Sequence, residues 1–195
     1  MFLQKKMNIA ILGFSVVFLL ISNKNYSQEY ILNTQKSSLI VLGTSNVHDW
    51  EIETENQKGS ISLDATSKIQ IQNLKIVVQA ESLKSGKRGM DKNTYKALNT
   101  DKYKTIEFQF VSTDAITDVG NGTFKVKSKG DLTISGVTKR ISLDFTLNQV
   151  NDTVNLAGEK TIKMTDYGIE PPKALFGTIK TGDEITIKFN TILQK

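Results

Sequence analysis

Phe124-Lys125-Val126-Lys127-Ser128-Lys129, resumed after Gly130-Asp131 as Leu132-Thr133-Ile134, sets apolar residues against lysine or other polar residues at every second position. That period of two is the period of a strand, whose successive side chains point to opposite faces. The next run, Ile141-Ser142-Leu143-Asp144-Phe145-Thr146-Leu147, repeats it. Between the two lies Ser135-Gly136-Val137-Thr138-Lys139, with Gly136 where a tight turn calls for a positive φ. Two half-buried strands joined by a short turn are one unit of an antiparallel sheet.

The same pattern extends in both directions. Upstream, Trp50-Glu51-Ile52-Glu53-Thr54, Ile61-Ser62-Leu63-Asp64 and Ile106-Glu107-Phe108-Gln109-Phe110 alternate, and Ile185-Thr186-Ile187-Lys188-Phe189 closes the chain with the pattern. Residues 69–83 alternate in two halves, Ile69 and Ile71 and then Leu74, Ile76, Val78 and Ala80. The change of phase near Asn73 predicts a β-bulge or sharp bend. Turn-forming clusters at residues 55–59, 118–122 and 148–152 predict hairpins. One short helix is expected over residues 90–98, with Asp91 as its cap and Tyr95 and Leu98 packing inward. Both prolines, Pro171 and Pro172, fall in a non-alternating connection over residues 166–183, long enough to act as a lid. Eight or nine antiparallel strands with one apolar face predict an all-β domain, as a closed barrel or a two-sheet sandwich.

The amino terminus carries a different signal. Lys5 and Lys6 precede an apolar stretch from Ile9 to Ile21, and a polar segment ends at small Ser27. This is the make-up of a secretory signal peptide. The expected division is a leader over residues 1–27 and one domain over residues 28–195, placed in the periplasm or secreted, with no stable membrane span after cleavage. The apolar stretch is short against the roughly 20 residues that cross a hydrocarbon core. Three of the 25 basic residues lie in this leader and none of the 20 acids, so the domain has a net charge of only +2. Lysines and acids are interspersed, which argues against a nucleic-acid surface.

Catalytic and metal chemistry find little to use. The chain has no cysteine and one histidine, His48, so thiol nucleophiles, disulfides and two-histidine metal sites are excluded. No Gly-x-Ser-x-Gly segment offers a serine nucleophile. Glu51, Glu53 and Glu55 share the polar face of one strand and read as a solvated surface. No catalytic residue, metal site or cofactor is expected, and an enzyme is the least supported class.

Four stretches carry a resemblance. Gly43-Thr44-Ser45-Asn46-Val47-His48-Asp49-Trp50 is a small-polar stretch leading into His and Trp. Glu81-Ser82-Leu83-Lys84-Ser85-Gly86-Lys87-Arg88-Gly89-Met90-Asp91 leads through Tyr95-Lys96-Ala97-Leu98 to Tyr103-Lys104-Thr105-Ile106-Glu107-Phe108. Gly130-Asp131-Leu132-Thr133-Ile134-Ser135-Gly136-Val137-Thr138-Lys139 is the most specific, and Met164-Thr165-Asp166-Tyr167-Gly168-Ile169-Glu170-Pro171-Pro172 with Gly182-Asp183-Glu184-Ile185 completes the set. Together they resemble the YceI-like family, also described as polyisoprenoid- or lipid-binding. Lys104 stands where proline is frequent in the family, and Ser135 where histidine is.

The resemblance implies a lipocalin-like antiparallel β-barrel of about eight strands with one short helix, holding an isoprenoid chain such as a quinone tail or polyprenyl lipid. An eight-stranded barrel is wide enough for one small ligand. The expected lining is Ile76, Val78, Phe108, Phe110, Phe124, Leu132, Ile134, Leu143 and Phe145, with Trp50, Tyr95 and Met164 nearer an opening where a head group meets polar residues. The same apolar set would serve equally as the dry core of a structural or stress-related barrel that acts through its surface. The partner expected is thus an apolar lipid, and the sequence leaves a homodimer open.

Overall fold

The computed structural model describes residues 27–54, 56–64 and 68–195. The expected leader therefore lies outside the described residues, apart from Ser27. The strands are β1 (Gln28–Leu32), β2 (Ser38–Ser45), β3 (Trp50–Thr54), β4 (Gln57–Asp64), β5 (Gln70–Gln79), β6 (Thr105–Gly120), β7 (Thr123–Ile134), β8 (Val137–Val150), β9 (Thr153–Lys163), β10 (Lys173–Ala174) and β11 (Ile179–Gln194). Helix α1 spans Arg88–Leu98.

The sheet closes on itself. From β4 the order runs β5, β6, β7, β8, β9, β11, and β11 returns to β1, which pairs with β4. Strands β1 and β2 lie end to end along β11, at Leu32↔Leu193 and Ser38↔Asn190. They act as one strand broken by a 3₁₀ turn at Thr34–Lys36. Asn33 caps that turn from its side chain, and Ser37 Oγ donates to the Asn33 carbonyl at 2.7 Å while accepting from Ile192 N at 2.9 Å. Their antiparallel neighbours β3 and β4 pair with β2 and β1 respectively, and so form one bent strand. With each bent pair taken once, the barrel has eight antiparallel strands. Closure removes the open sheet edges that would invite aggregation.

The expected barrel, helix and bulge are all present. Ser62↔Asn73 is followed by Leu63↔Ile71, which leaves Gln72 as the extra residue at the predicted bend. Hairpins turn at Asn121-Gly122, Ser135-Gly136 and Asn151, all with positive φ. The expected hairpin over residues 55–59 is not formed, because β3 and β4 pair with different strands and the chain only bends between them. Asp91 is not the helix cap. Lys87 holds that position, and the Asp91 carboxylate reaches back to accept from Ser85 N at 2.8 Å and Ser85 Oγ at 2.6 Å. The long connection is shorter than expected, since β11 already begins at Ile179 and is bulged between Thr181 and Ile185.

Two apolar clusters divide the interior along its axis. At one end Tyr30, Ile61, Leu63, Leu147, Val154 and Leu193 are all but inaccessible and form a packed floor. Toward the other end Leu132, Ile134, Ile162, Met164, Tyr167 and Ile169 form a second cluster, joined by Leu98 of α1. Outward residues are polar and pair across strands, as Lys75 does with Glu107 at 3.3 Å.

Candidate functional site

The two clusters border a cavity of about 510 Å³. It lies within the 300–1,000 Å³ typical of small-molecule sites. Its wall is mostly aliphatic and aromatic, drawn from all round the barrel, with α1 and the 3₁₀ turns around residues 164–177 at one end. It reaches the surface beside exposed Lys87, Gly89 and Lys173, and beside His48. One end of the barrel is therefore packed shut and the other is hollow and open.

Helix α1 contributes Asn93, Thr94, Ala97 and Leu98 to the wall, the spacing of one helical face. Its carboxy end is fixed by Asn99 in the left-handed conformation and by Ser135 Oγ, which donates to the Leu98 carbonyl at 2.9 Å. Trp50 lies flat over Gly43 on the adjacent strand, and its Nε1 donates to the Thr44 carbonyl at 2.9 Å. A Cβ on Gly43 would stand 2.1 Å from the indole, so glycine is required for this packing. The loop before β3 is tied to the start of β11 by Asn46, whose Nδ2 donates to the Thr178 carbonyl and whose Oδ1 accepts from Lys180 N. His48 is exposed at this rim, its Nδ1 donating to the Asp49 carbonyl at 2.8 Å.

Nine of the twelve expected residues lie on the cavity wall: Trp50, Ile76, Val78, Phe108, Leu132, Ile134, Leu143, Phe145 and Met164. Three do not. Phe110 and Phe124 pack against the floor cluster, two and eight residues along their strands from the wall residues Phe108 and Leu132. Tyr95 sits on another face of α1, its hydroxyl donating to the Glu81 and Leu83 carbonyls and accepting from Lys84 Nζ. That contact holds the Lys84 ammonium above its ordinary pKa. Ile106, Ile185, Ile187 and Phe189 are wall residues not singled out from the sequence, although the same alternation marks them.

Two polar wall residues carried no sequence signal as site residues. Gln57 is fully buried, and neither its Nε2 nor its Oε1 has a hydrogen-bond partner. Tyr167 is 2 % exposed with an unpartnered hydroxyl, and burial, with Asp166 adding to it, pushes its pKa up to about 12. The phenol is therefore a neutral donor at any physiological pH. A buried polar group without a partner costs roughly 1–3 kcal/mol. Asp183 accepts from Thr165 Oγ1 at 2.6 Å and Thr165 N at 2.9 Å, which holds its carboxyl below the ordinary range. Among the described residues no group of three or more His, Asp or Glu is placed to hold a metal, and no helix is long and apolar enough to cross a membrane.

The family model for the YceI-like domain matches residues 30–193, which is almost the whole barrel. The chain belongs to the YceI-like family. It is 26% identical over 193 residues to the UPF0312 protein of Pseudomonas savastanoi pv. phaseolicola, covering 91% of this chain and 93% of that one. Burkholderia cenocepacia BcnA shares the YceI-like barrel with a TM-score of 0.67 at 18% identity, over 83% of this chain and 98% of BcnA. A polyisoprenoid-binding domain from Saccharophagus degradans, implicated in plant cell wall breakdown, matches with a TM-score of 0.67 at 14% identity, over 85% and 97%. The Campylobacter jejuni YCEI protein matches with a TM-score of 0.58 at 17% identity, over 98% and 99%. At these identities the structures establish a shared fold.

Proposed function

We propose that this protein is an exported lipid-binding protein that holds one apolar, isoprenoid-type ligand, a quinone or polyprenyl lipid, in the hollow half of its barrel. The cavity of about 510 Å³ carries this reading, because its wall is mostly apolar, the packed floor closes it at one end, and it reaches the surface beside Lys87 and Lys173. A chain entering there loses its water contact on all sides while the packed floor limits how far it goes. Burial of apolar area at about 25 cal/mol per Å² supplies the affinity. The similarity to a polyisoprenoid-binding domain supports the ligand class. The mostly apolar wall suits holding a lipid, so binding is the activity proposed.

Solvent extraction of protein purified from its native host, followed by mass spectrometry, tests the reading. A co-purified isoprenoid lipid in near-stoichiometric amount is expected. If extracts are empty, and no quinone or polyprenyl lipid raises the unfolding midpoint of the delipidated protein, the lipid-carrier reading fails. Export is tested separately by amino-terminal sequencing, which should place the first residue near Gln28 or Glu29, whereas a chain beginning at Met1 would refute it.

A further inference from the structure

Among the described residues, three buried side-chain polar atoms lack a hydrogen-bond partner, and all belong to Gln57 and Tyr167. Both residues are on the cavity wall. Elsewhere the same interior satisfies its polar groups. Tyr30, just as deeply buried in the floor, donates its hydroxyl proton to Gln28 Oε1 at 2.7 Å and accepts from Gln149 Nε2 at 2.8 Å. Ser128 Oγ donates to the Leu143 carbonyl at 2.7 Å, and the Thr54 and Ser82 hydroxyls meet at 2.6 Å. The unpaired groups thus coincide with the cavity and not with burial as such. Such exceptions call for a partner that the protein itself does not provide.

Gln57 is the more demanding of the two, because it lacks a partner for its donor and for its acceptor. Its backbone is held fast: its carbonyl accepts from Thr34 Oγ1 at 2.9 Å, and it stands opposite Val78 in the β4–β5 register. It is the first residue of β4, and Ile61 and Leu63 further along that strand belong to the packed floor. The amide therefore stands on the cavity wall beside Val78, with the floor further along its own strand. The terminal torsion of a glutamine is broad, so the amide turns about a fixed stem.

We propose that Gln57 anchors the polar end of the bound lipid inside the cavity, so that the head group is buried against the wall. This rests on the lipid-binding reading above and narrows it. The amide matches an end group that donates and accepts side by side, an un-ionised carboxylic acid or a primary amide. Nε2 donates to the ligand carbonyl while the ligand O–H or N–H donates to Oε1. A hydrocarbon end leaves both atoms unpaired, and an ester or quinone carbonyl satisfies only the donor. An ionised carboxylate offers no donor to Oε1, so its charge would be met by Lys160, which also lines the wall, and not by the amide.

The test titrates delipidated protein with dodecanamide, dodecanoic acid, methyl dodecanoate and a short-chain quinone, following the emission of Trp50, the sole tryptophan and a wall residue. Wild type should bind dodecanamide about tenfold more tightly than the methyl ester, equivalent to about 1.4 kcal/mol. In Gln57→Leu and Gln57→Met that ratio should fall to within about twofold while ester affinity is kept. A ratio that survives both substitutions overturns the anchor and leaves lipid binding intact. If none of the four ligands binds wild type, the lipid-binding reading falls and the anchor with it. Both variants remove an unsatisfied pair, so each should fold at least as stably as wild type, and a circular dichroism melt of each checks this.

Discussion

Leu147 and Leu132 are the same side chain in the two halves of one barrel, so truncating each measures whether half of the interior is hollow. Leu147 is 1 % exposed within the floor cluster, whereas Leu132 is 6 % exposed and lines the cavity. Leu147→Ala removes three carbons, roughly 2.4 kcal/mol of transfer free energy at about 0.8 per methylene. It also leaves a void that close-packed neighbours cannot fill, which brings such substitutions to about 3–5 kcal/mol. Leu132→Ala loses less. Its removed atoms had partners on the wall side only, and the new space merges with a cavity that already exists, so about 1–2 kcal/mol is expected. Urea unfolding followed by circular dichroism, with the slope held common, reads both losses from the midpoints. For a domain of this size the larger loss lowers the melting temperature by roughly 2–4 °C per kcal/mol. Losses equal to within about 0.5 kcal/mol would refute the division of the interior. Phe145 belongs to the floor cluster and to the wall together, so Phe145→Ala should fall between the two.

Gly136→Val should cost more than about 1 kcal/mol, because Gly136 has φ +76° and its Cβ would meet the Tyr103 ring at 2.4 Å. Ser135→Ala in the same turn should cost about 1 kcal/mol, through the lost hydrogen bond to the Leu98 carbonyl; equal midpoints for Ser135→Ala and wild type would discount that bond. Gly43→Ala should displace the Trp50 ring from the wall, seen as a shifted tryptophan emission and weaker lipid affinity with the fold retained. Tyr167 gives a pH test. An unfolded tyrosine titrates near pH 10 and this one near about 12. Below pH 10 it is protonated in both states. Between pH 10 and 12 the unfolded chain releases its proton first, so stability falls as pH rises. Tyr167→Phe should lack that part of the fall, and identical urea midpoint changes between pH 9 and 11.5 in the two proteins would contradict it.

The strands of this barrel are legible because one face is polar and the hairpin turns have distinctive residues. Residues 123–147 read directly: lysines at 125, 127 and 129 point out, and Ser135-Gly136 supplies the two positive φ angles that a tight turn needs. The bend between β3 and β4 looks like a hairpin in sequence because polar residues mark a kink and a turn alike. What decides between them is pairing with β1 and β2, which local sequence does not contain. The helix face was half legible: Thr94, Ala97 and Leu98 follow the helical period onto the wall, and Tyr95, one step of about 100° further round, does not.

The site was less legible than the fold for one reason, seen best at Phe108 and Phe110. Alternation states which face of a strand a residue occupies, and both phenylalanines are indeed inward. It says nothing of height along the barrel axis, which strand tilt and register set together. Phe108 stands opposite Leu132 on the cavity wall, and Phe110 opposite Gly130 against the floor, although they are two residues apart on one face of one strand. Phe124 is lost to the floor in the same way. Gln57 fails at the step before, because a polar residue at the head of an apolar strand is assigned to solvent by any reading based on polarity. It is visible as a site residue only once closure of the barrel has buried it and left its amide without a partner. A pattern rule places apolar residues inside, and so it finds the wall of a lipid cavity while overlooking the group that would select which lipid the cavity takes.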